Sequence, residues 1–289
     1  FVPKLRTDDT TVKRRQSSNM MQLTEQDFKR LVTFIKSSYG INLTQKRQLI
    51  VGRLSNTVVS MGYSSFTEYI DHILNKKDPQ DIETMLNKLT TNYTFFYREG
   101  DHFDYFRDTV LPYLEQTKKD RVLSIWSAGC SFGQEPYTLS MILKEYFGRK
   151  VPQWDTRVLA TDISQNALKA AMQGVYDEES LSALPAGWKQ KYFKKTTEPG
   201  VFRVSDDLKK NVIFKTFNLM DPIRFKLKFD VIFCRNVMIY FDQPTKEALV
   251  QRFYDATVQG GYLFIGHSEG LNRSVTPYKY LMPAAYRKI

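Results

Sequence analysis

Hydrophobic residues between Leu23 and about Leu89 recur with the spacing of α-helices. The first run starts after Thr24, which can cap a helix together with Asp27 three residues on, and Gly40 ends it. Short polar connections separate the runs, which predicts a small helical bundle. The apolar positions are Phe28, Leu31, Val32 and Ile35; Leu49, Ile50, Leu54 and Val58; Phe66, Tyr69, Ile70 and Ile73; and Ile82, Met85, Leu86 and Leu89.

The pattern changes after a further helical stretch from about His102 to Leu114. Short apolar runs then alternate with amphipathic helical patterns, which is typical of a mostly parallel sheet covered by helices on both faces. Such sheets bind ligands at the carboxyl ends of their strands, so site residues are expected directly after each strand. The predicted strands are 121–128, 157–161, 229–234 and 262–266, and the predicted helices are 134–147, 164–172 and 245–258.

A segment between Trp188 and Phe217 interrupts this alternation. Two short strand-like pieces, 200–205 and 212–217, flank the polar sequence DDLKKN, which predicts a small antiparallel β-subdomain at about residues 188–217. The chain is therefore divided into a flexible basic tail (1–20), a helical N-terminal domain (21–90) and an α/β domain (91–289).

Composition narrows the classes of function. The net charge of +11 is compatible with an acidic partner, whether nucleic acid, a membrane surface or a carboxylate-rich protein. The chain has no run of roughly 18 apolar residues and no export signal at its start, so a cytoplasmic protein without membrane insertion is expected. The two cysteines, Cys130 and Cys234, lack metal-ligand spacing, so buried reduced thiols and no metal site are predicted.

Small residues follow the first predicted strand in the sequence WSAGCSFGQEPY, residues 126–137. They allow a sharp turn and a close approach to a ligand, but their spacing is not that of a dinucleotide-binding motif. Glu135 places a carboxylate where a phosphate would need positive charge. The turn therefore favours a cationic or hydroxyl-bearing ligand.

Two further strands are followed by side chains suited to a nucleoside. Asp162 comes after the second strand, where a carboxylate can accept hydrogen bonds from both ribose hydroxyls; the alternative is that it helps to start the next helix. Asn218 and Leu219 follow the strand-like FKTF and could contact an adenine edge, whereas an ordinary turn asparagine is the alternative.

The sequence FDVIFCRNVMIYFD, residues 229–242, is the most specific signal. Its apolar strand brings Arg235 and Asn236 to the edge of the sheet, and Tyr240 follows. Charged and amide side chains directly after a buried strand seldom serve packing, so a binding site is predicted there.

Several motifs together resemble the chemotaxis receptor methyltransferase family, CheR, from about Leu23 to the end of the chain. They are TTNYTFFYRE at 90–99, GQEPY at 133–137, the aspartate after the second strand, FCRNVMIYFD at 233–242 and GHSE at 266–269. The resemblance implies a Rossmann-like S-adenosylmethionine-dependent methyltransferase fold with an inserted antiparallel β-subdomain, preceded by an all-α domain. It implies a cofactor pocket lined by Asn92, Thr94, Arg98, Glu135, Asp162, Asn218, Leu219, Arg235, Asn236 and Tyr240.

The resemblance also implies the reaction, which is methylation of glutamate side chains on chemotaxis receptors in sensory adaptation. A glutamate is ionised at neutral pH, so it needs no general base. We expect Arg98 and Tyr240 to act as catalytic residues that orient the incoming carboxylate. Lys46, Arg47 and Arg53 are expected to dock the acidic receptor helices, with a solvated basic face as the alternative.

Two rival functions share this fold. A nucleic-acid methyltransferase would be expected to carry an Asn/Asp-Pro-Pro-Tyr motif, where this chain has Arg235-Asn236-Val237. A catalytically degenerate cofactor sensor would have less need of Arg98 and Tyr240.

The expected partners are chemotaxis receptors and not nucleic acid. The protein is expected to be a monomer that associates with receptor arrays. The short turn at 196–200 predicts that the β-subdomain does not bind a receptor tail peptide.

Overall fold

The computed structural model describes residues 21–289, and the predicted basic tail at 1–20 lies outside the described residues. A helical domain, α1–α4, precedes an α/β domain. The helices are α1 (Glu25–Tyr39), α2 (Arg47–Ser60), α3 (Phe66–Lys76), α4 (Pro79–Leu89), α5 (Gly100–Tyr105), α6 (Leu111–Thr117), α7 (Gln134–Phe147), α8 (Gln165–Gln173), α9 (Trp188–Tyr192), α10 (Asp206–Lys210) and α11 (Gln243–Ala256). The strands are β1 (Ile125–Ala128), β2 (Val158–Asp162), β3 (Val175–Asp177), β4 (Phe193–Lys195), β5 (Val201–Val204), β6 (Val212–Thr216), β7 (Phe229–Cys234), β8 (Thr257–Ile265), β9 (Lys279–Met282) and β10 (Ala285–Arg287).

The helical domain starts at the predicted cap. Thr24 Oγ1 accepts a hydrogen bond from the backbone N–H of Asp27 at 3.1 Å, and Gly40 ends α1 with a φ of 73°. The Asp27 carboxylate also accepts from Thr67 Oγ1 of α3 at 2.6 Å. This hydrogen bond outweighs burial and, with those from Thr24 and Arg30, holds the pKa of Asp27 below its usual value. A buried carboxylate thus joins α1 to α3.

The main sheet has seven strands in the order β6-β2-β1-β7-β8-β10-β9. The first five are parallel, whereas β10 runs antiparallel to β8 and β9 antiparallel to β10. Every residue of β7 is buried, as expected for a central strand. Strand order reverses beside β1, so the crevice at the carboxyl ends of β1, β2 and β7 is the expected ligand site.

The β-subdomain is confirmed, but its predicted span is wrong. The three-stranded antiparallel sheet has the order β3-β5-β4 and begins at Val175, before residue 188. The strand predicted at 212–217 is β6, which pairs in parallel with β2 in the main sheet. Strand β3 has 3 residues, too few to show an alternating pattern, and an apolar run like that of β6 fits either sheet.

The helical domain packs over the carboxyl end of β7. Asn42 N donates to Tyr240 O at 2.8 Å, and Lys36 Nζ lies 2.6 Å from Asp242 Oδ2. These contacts bring α1 and the segment after it against the loop that follows β7. None of the helices within residues 21–289 combines the length and the apolar character needed to cross a bilayer.

Candidate functional site

The predicted site residues converge on one cleft between the two domains. The carboxyl ends of β1, β2, β6 and β7 form one side of it, and α1, α4 and the segment 90–98 form the other. Each pocket residue predicted from the sequence lines this cleft, namely Asn92, Thr94, Arg98, Glu135, Asp162, Asn218, Leu219, Arg235, Asn236 and Tyr240. Residues of the helical domain, among them Ile41 and Leu86, line it as well.

The turn after β1 requires glycine at two positions where its backbone lies close to neighbouring side chains. Gly133 precedes α7 with a φ of 93°, and a Cβ there would lie 2.8 Å from the Cβ of Ala171. Gly129 has a φ of 80°, and a Cβ there would lie 2.4 Å from Val237 Cγ2. The turn therefore packs tightly on its neighbours and places Glu135 in the first turn of α7.

Glu135 presents a largely buried carboxylate to the cleft. Its side chain is 14% exposed and accepts a hydrogen bond from Ser127 Oγ at 2.7 Å. Burial raises the pKa of Glu135 above its usual value, although Arg235 and Ser127 oppose that rise. A cationic ligand group beside it would favour the ionised form.

Arg235 lies between two carboxylates. Its side chain is 2% exposed, with Nη2 3.3 Å from Glu99 Oε2 and Nη1 3.5 Å from Glu135 Oε2. It also donates to the carbonyl oxygen of Arg98, and its guanidinium carbon lies 4.8 Å from the centre of the Phe103 ring. Arg235 therefore acts mainly as a brace that joins the segment 90–99 to α7.

Glu99 was not singled out from the sequence, where it resembles an exposed acid after Arg98. It accepts from Asn236 Nδ2 and from the backbone N–H of His267, each at 3.2 Å. Burial alone would raise the pKa of Glu99, but Arg235 and these two donors hold it below its usual value. Glu99 is thus an ionised anchor for Arg235 and Asn236.

Glu269 of the GHSE sequence was not singled out from the sequence either, because it also resembles an exposed acid. It is only 6% exposed. Its carboxylate accepts hydrogen bonds from the backbone N–H groups of Gly266 at 2.6 Å, Asn236 at 2.9 Å and Ile239 at 3.0 Å. Burial raises the pKa of Glu269 despite these donors. The carboxylate fixes the loop that carries Asn236 and Tyr240.

His102 is fully buried. Burial, followed by the charge of Arg235, lowers its pKa to about 4, so the ring is neutral at pH 7. Potential metal-ligand atoms of His102, Glu99 and His267 lie within 4.8 Å of one another. The guanidinium of Arg235 already pairs with that glutamate, so a cation there would compete with a fixed positive charge.

Asp162 holds the two turns that follow β1 and β2. Its Oδ2 accepts from the backbone N–H of Ser131 at 2.8 Å, and its Oδ1 accepts from that of Ser164 at 2.9 Å. Burial raises the pKa of Asp162, and these backbone donors oppose the rise. Ser164, not Asp162, is the N-cap of α8. Each carboxylate oxygen keeps a lone pair for a ligand hydroxyl.

Asn218 joins the cleft to the helical domain. Its Nδ2 donates to the carbonyl oxygen of Ser38 at 2.7 Å, and its Oδ1 accepts from Met220 N at 3.0 Å. One amide hydrogen and one lone pair are left for an adenine edge. This contact could not be predicted from local sequence patterns, because Ser38 lies 180 residues away.

Arg98 and Tyr240 differ in what they can offer a ligand. The Tyr240 hydroxyl donates its single proton to Thr91 O at 3.0 Å and accepts from Thr91 N at 2.9 Å. Arg98 uses Nη1 to donate to Tyr93 O at 2.7 Å and has further N–H groups. Arg98 is therefore the more available donor, whereas Tyr240 holds the segment that carries Asn92 and Thr94.

The basic residues predicted for docking lie on α2 or directly before it, outside the cleft lining. Lys46 and Arg53 are exposed. Arg47 Nη1 pairs with Glu25 Oε2 at 2.7 Å, and its side chain is 43% exposed. Part of its charge is thus neutralised within the domain.

Comparisons with known proteins match both domains. Residues 92–286 match the family model for the CheR methyltransferase, SAM binding domain, and residues 26–90 match that for the CheR methyltransferase, all-alpha domain. A chemotaxis protein methyltransferase of Borreliella burgdorferi is 40% identical over 93% of this chain and 96% of its own length. A probable chemotaxis protein methyltransferase of Rhizobium etli is 38% identical over 88% of this chain and 99% of its own. The chemotaxis protein methyltransferase of Escherichia coli is 34% identical over 89% of this chain and 91% of its own.

Among solved structures, magnesium protoporphyrin IX methyltransferase of Synechocystis with bound SAM aligns with 63% of this chain and 74% of its own. The TM-score is 0.33 and the sequence identity is 14%. This likeness is too distant to add to the family matches.

Proposed function

The chain belongs to the CheR family of S-adenosylmethionine-dependent methyltransferases, and from that premise we propose that it esterifies glutamate side chains of chemotaxis receptors. The observation that carries the proposal is the cleft, which brings the partly buried acids Glu135 and Asp162 together with the guanidinium of Arg98. We further propose that the enzyme works in the cytoplasm at receptor arrays and serves sensory adaptation.

The charges of the cleft fit the methyl donor. When ionised, Glu99, Glu135 and Asp162 carry three negative charges, and Arg98 and Arg235 carry two positive charges. The site therefore keeps one net negative charge and favours a ligand of net positive charge. S-adenosylmethionine carries a sulfonium, an ammonium and a carboxylate, and its sulfonium supplies the activated methyl group. Asp162 would accept hydrogen bonds from the ribose hydroxyls of the cofactor. Glu135 would lie beside a cationic or hydroxyl-bearing part of the cofactor.

A glutamate acceptor requires no proton-transfer group. A glutamate side chain has a pKa of about 4.3 and is already ionised at neutral pH. The chain then has to hold a carboxylate oxygen in line with the reacting carbon and to exclude water. Arg98 is suited to this because its free N–H groups can orient a carboxylate without acting as nucleophiles.

Receptor docking is assigned to the basic surface of the helical domain. Lys46 and Arg53 are exposed there, and Arg47 is partly so. Positive charge on a helical face favours approach of the acidic helices that the proposed substrates present. The same domain also contributes residues of α1 and α4 to the wall of the cleft.

Asp162→Asn is expected to raise the dissociation constant of S-adenosylhomocysteine about tenfold, because the neutral amide has one acceptor oxygen and loses a charge-assisted hydrogen bond. Isothermal titration measures this. Asp221→Asn, an exposed acid outside the cleft lining, is the control and should leave the constant unchanged. A change of less than twofold for Asp162→Asn would remove this residue from the binding site.

The acceptor is tested by methyl transfer to three materials: receptor fragments, receptor fragments with the candidate glutamates changed to glutamine, and DNA. The proposal expects label on the first alone, and alkali should release it, because a carboxyl ester is base-labile. Label that survives alkali, or label on DNA, contradicts the proposal. Tight cofactor binding without any transfer would indicate the degenerate sensor.

A further inference from the structure

Glu83 of α4 reaches from the helical domain to the start of α8. Its Oε1 accepts from Ser164 Oγ and from the backbone N–H of Asn166, each at 2.7 Å. Ser164 is the N-cap of α8, and its Oγ accepts from Ala167 N at 3.1 Å. The first turn of α8 is therefore capped twice, once by its own serine and once by an acid that lies 81 residues earlier in the chain.

This contact continues into the cofactor cleft. Ser164 N donates to Asp162 Oδ1 at 2.9 Å, so the turn that Glu83 holds also holds that carboxylate. Asn87 Nδ2 lies 3.5 Å from Ser164 Oγ, and Asn92 Nδ2 lies 3.5 Å from Asn87 Oδ1. A chain of polar contacts thus connects α4, the turn after β2 and the segment that lines the cleft.

We propose that Glu83 is a positioning residue that sets the turn after β2, and through it Asp162, for cofactor binding. The inference deepens the proposed function, since it rests on Asp162 as a ligand of the cofactor. Glu83 itself is not among the residues that line the cleft within 21–289. Its hydrogen bonds do not involve Arg98, so its loss should affect cofactor affinity and leave the methyl-transfer step nearly unchanged.

The helical domain offers a matched control. Glu68 accepts from the backbone N–H of Ser64 at 2.9 Å and from its hydroxyl at 2.8 Å, which is the same kind of contact made within one domain. Glu68→Ala removes an acid, a serine contact and an N–H contact without touching the cleft. General loosening of the helical domain would therefore appear in both alanine variants.

The experiment titrates S-adenosylhomocysteine into the whole chain and its variants and measures thermal unfolding alongside. Glu83→Ala should raise the dissociation constant about fivefold, as expected for the loss of ordering hydrogen bonds next to a ligand contact. Glu83→Gln should stay within twofold, because its amide oxygen can accept the same two donors. Glu68→Ala should also stay within twofold. With an unmethylated receptor fragment as the acceptor, the KM for S-adenosylmethionine should rise in Glu83→Ala, and kcat should stay unchanged.

Three results would overturn the proposal: unchanged affinity in Glu83→Ala, an equal loss in Glu68→Ala, or an equal loss in Glu83→Gln. If Glu83→Ala does not fold, Glu83→Asp takes its place, because the shortened side chain keeps the charge and withdraws from both donors. The titration needs no methyl acceptor. Failure to methylate receptors would therefore contradict the proposed function and leave this inference standing.

Discussion

Replacing Arg235 with methionine is expected to destabilise the fold by about 3–5 kcal/mol and to abolish measurable binding of S-adenosylhomocysteine, because it leaves two largely buried carboxylates without their counter-charge. The guanidinium side chain is 2% exposed and lies 3.3 Å from Glu99 and 3.5 Å from Glu135. Methionine matches the length of the arginine stem but offers neither acid a partner. Chemical unfolding monitors the loss of stability, and isothermal titration monitors binding.

The defect should depend on pH. Burial already raises the pKa of Glu135, and without Arg235 it should rise further. The pKa of Glu99, which Arg235 helps to hold below its usual value, should rise as well. A carboxyl whose folded pKa exceeds its unfolded pKa destabilises the fold at high pH and costs less as pH falls through the folded value. The difference from the parent chain should therefore shrink as pH is lowered from 8 towards the folded pKa values.

Arg157→Met is the matched control, since that arginine pairs with Asp155 at 2.6 Å but is 58% exposed. Such surface pairs contribute about 0–1 kcal/mol, so the control should remain close to the parent chain. Equal losses in the two variants, or a loss below about 1 kcal/mol for Arg235→Met, would contradict the role of Arg235 as a buried brace.

Arg98→Ala is expected to lower the rate of methyl transfer at least tenfold, and on the order of a hundredfold, because the acceptor carboxylate loses its orienting donor. The fold should persist, since the side chain makes one internal hydrogen bond, to Tyr93 O at 2.7 Å. The effect should fall on kcat at saturating S-adenosylmethionine. Single-turnover kinetics with a receptor fragment measure the rate of methyl transfer, and a thermal melt tests whether the fold persists.

Arg107→Ala serves as the control for Arg98→Ala, because Arg107 is a partly exposed arginine that pairs with Asp104 and Asp108 at the surface. It should transfer methyl groups at the parent rate. Unchanged turnover in Arg98→Ala would exclude that residue from orienting the acceptor. A large rise in the dissociation constant of S-adenosylhomocysteine at an unchanged kcat would assign it to cofactor binding instead.

The local pattern of the chain predicted those parts of the fold that local physics determines. The cap at Thr24, the left-handed end of α1 at Gly40, helix α7 and strand β7 all occur where periodicity and capping placed them. The convergence of Asp162, Asn218 and Arg235 on one cleft follows from topology, because parallel strands present their carboxyl ends at the same edge.

The features that the sequence did not predict depend on contacts between distant residues. Strand β6 carries an apolar run that would suit either sheet, and its pairing with β2 decides between them. Strand β8 begins at Thr257, so the predicted helix 245–258 extends two residues too far. The β-branched residues Thr257 and Val258 favour a strand over a helix. Glu99 and Glu83 resemble surface acids until the fold brings their donors to them.

The shared wall of the cleft limits how freely the two halves of this protein can be recombined. Ser38 and Glu83 of the helical half make direct hydrogen bonds to Asn218 and Ser164 of the other half. A chimaera that borrows the helical half of a relative to change its receptor preference would also replace residues that contact the proposed cofactor site. Retargeting by exchange of that half should therefore succeed only when both of these junctions are transplanted with it.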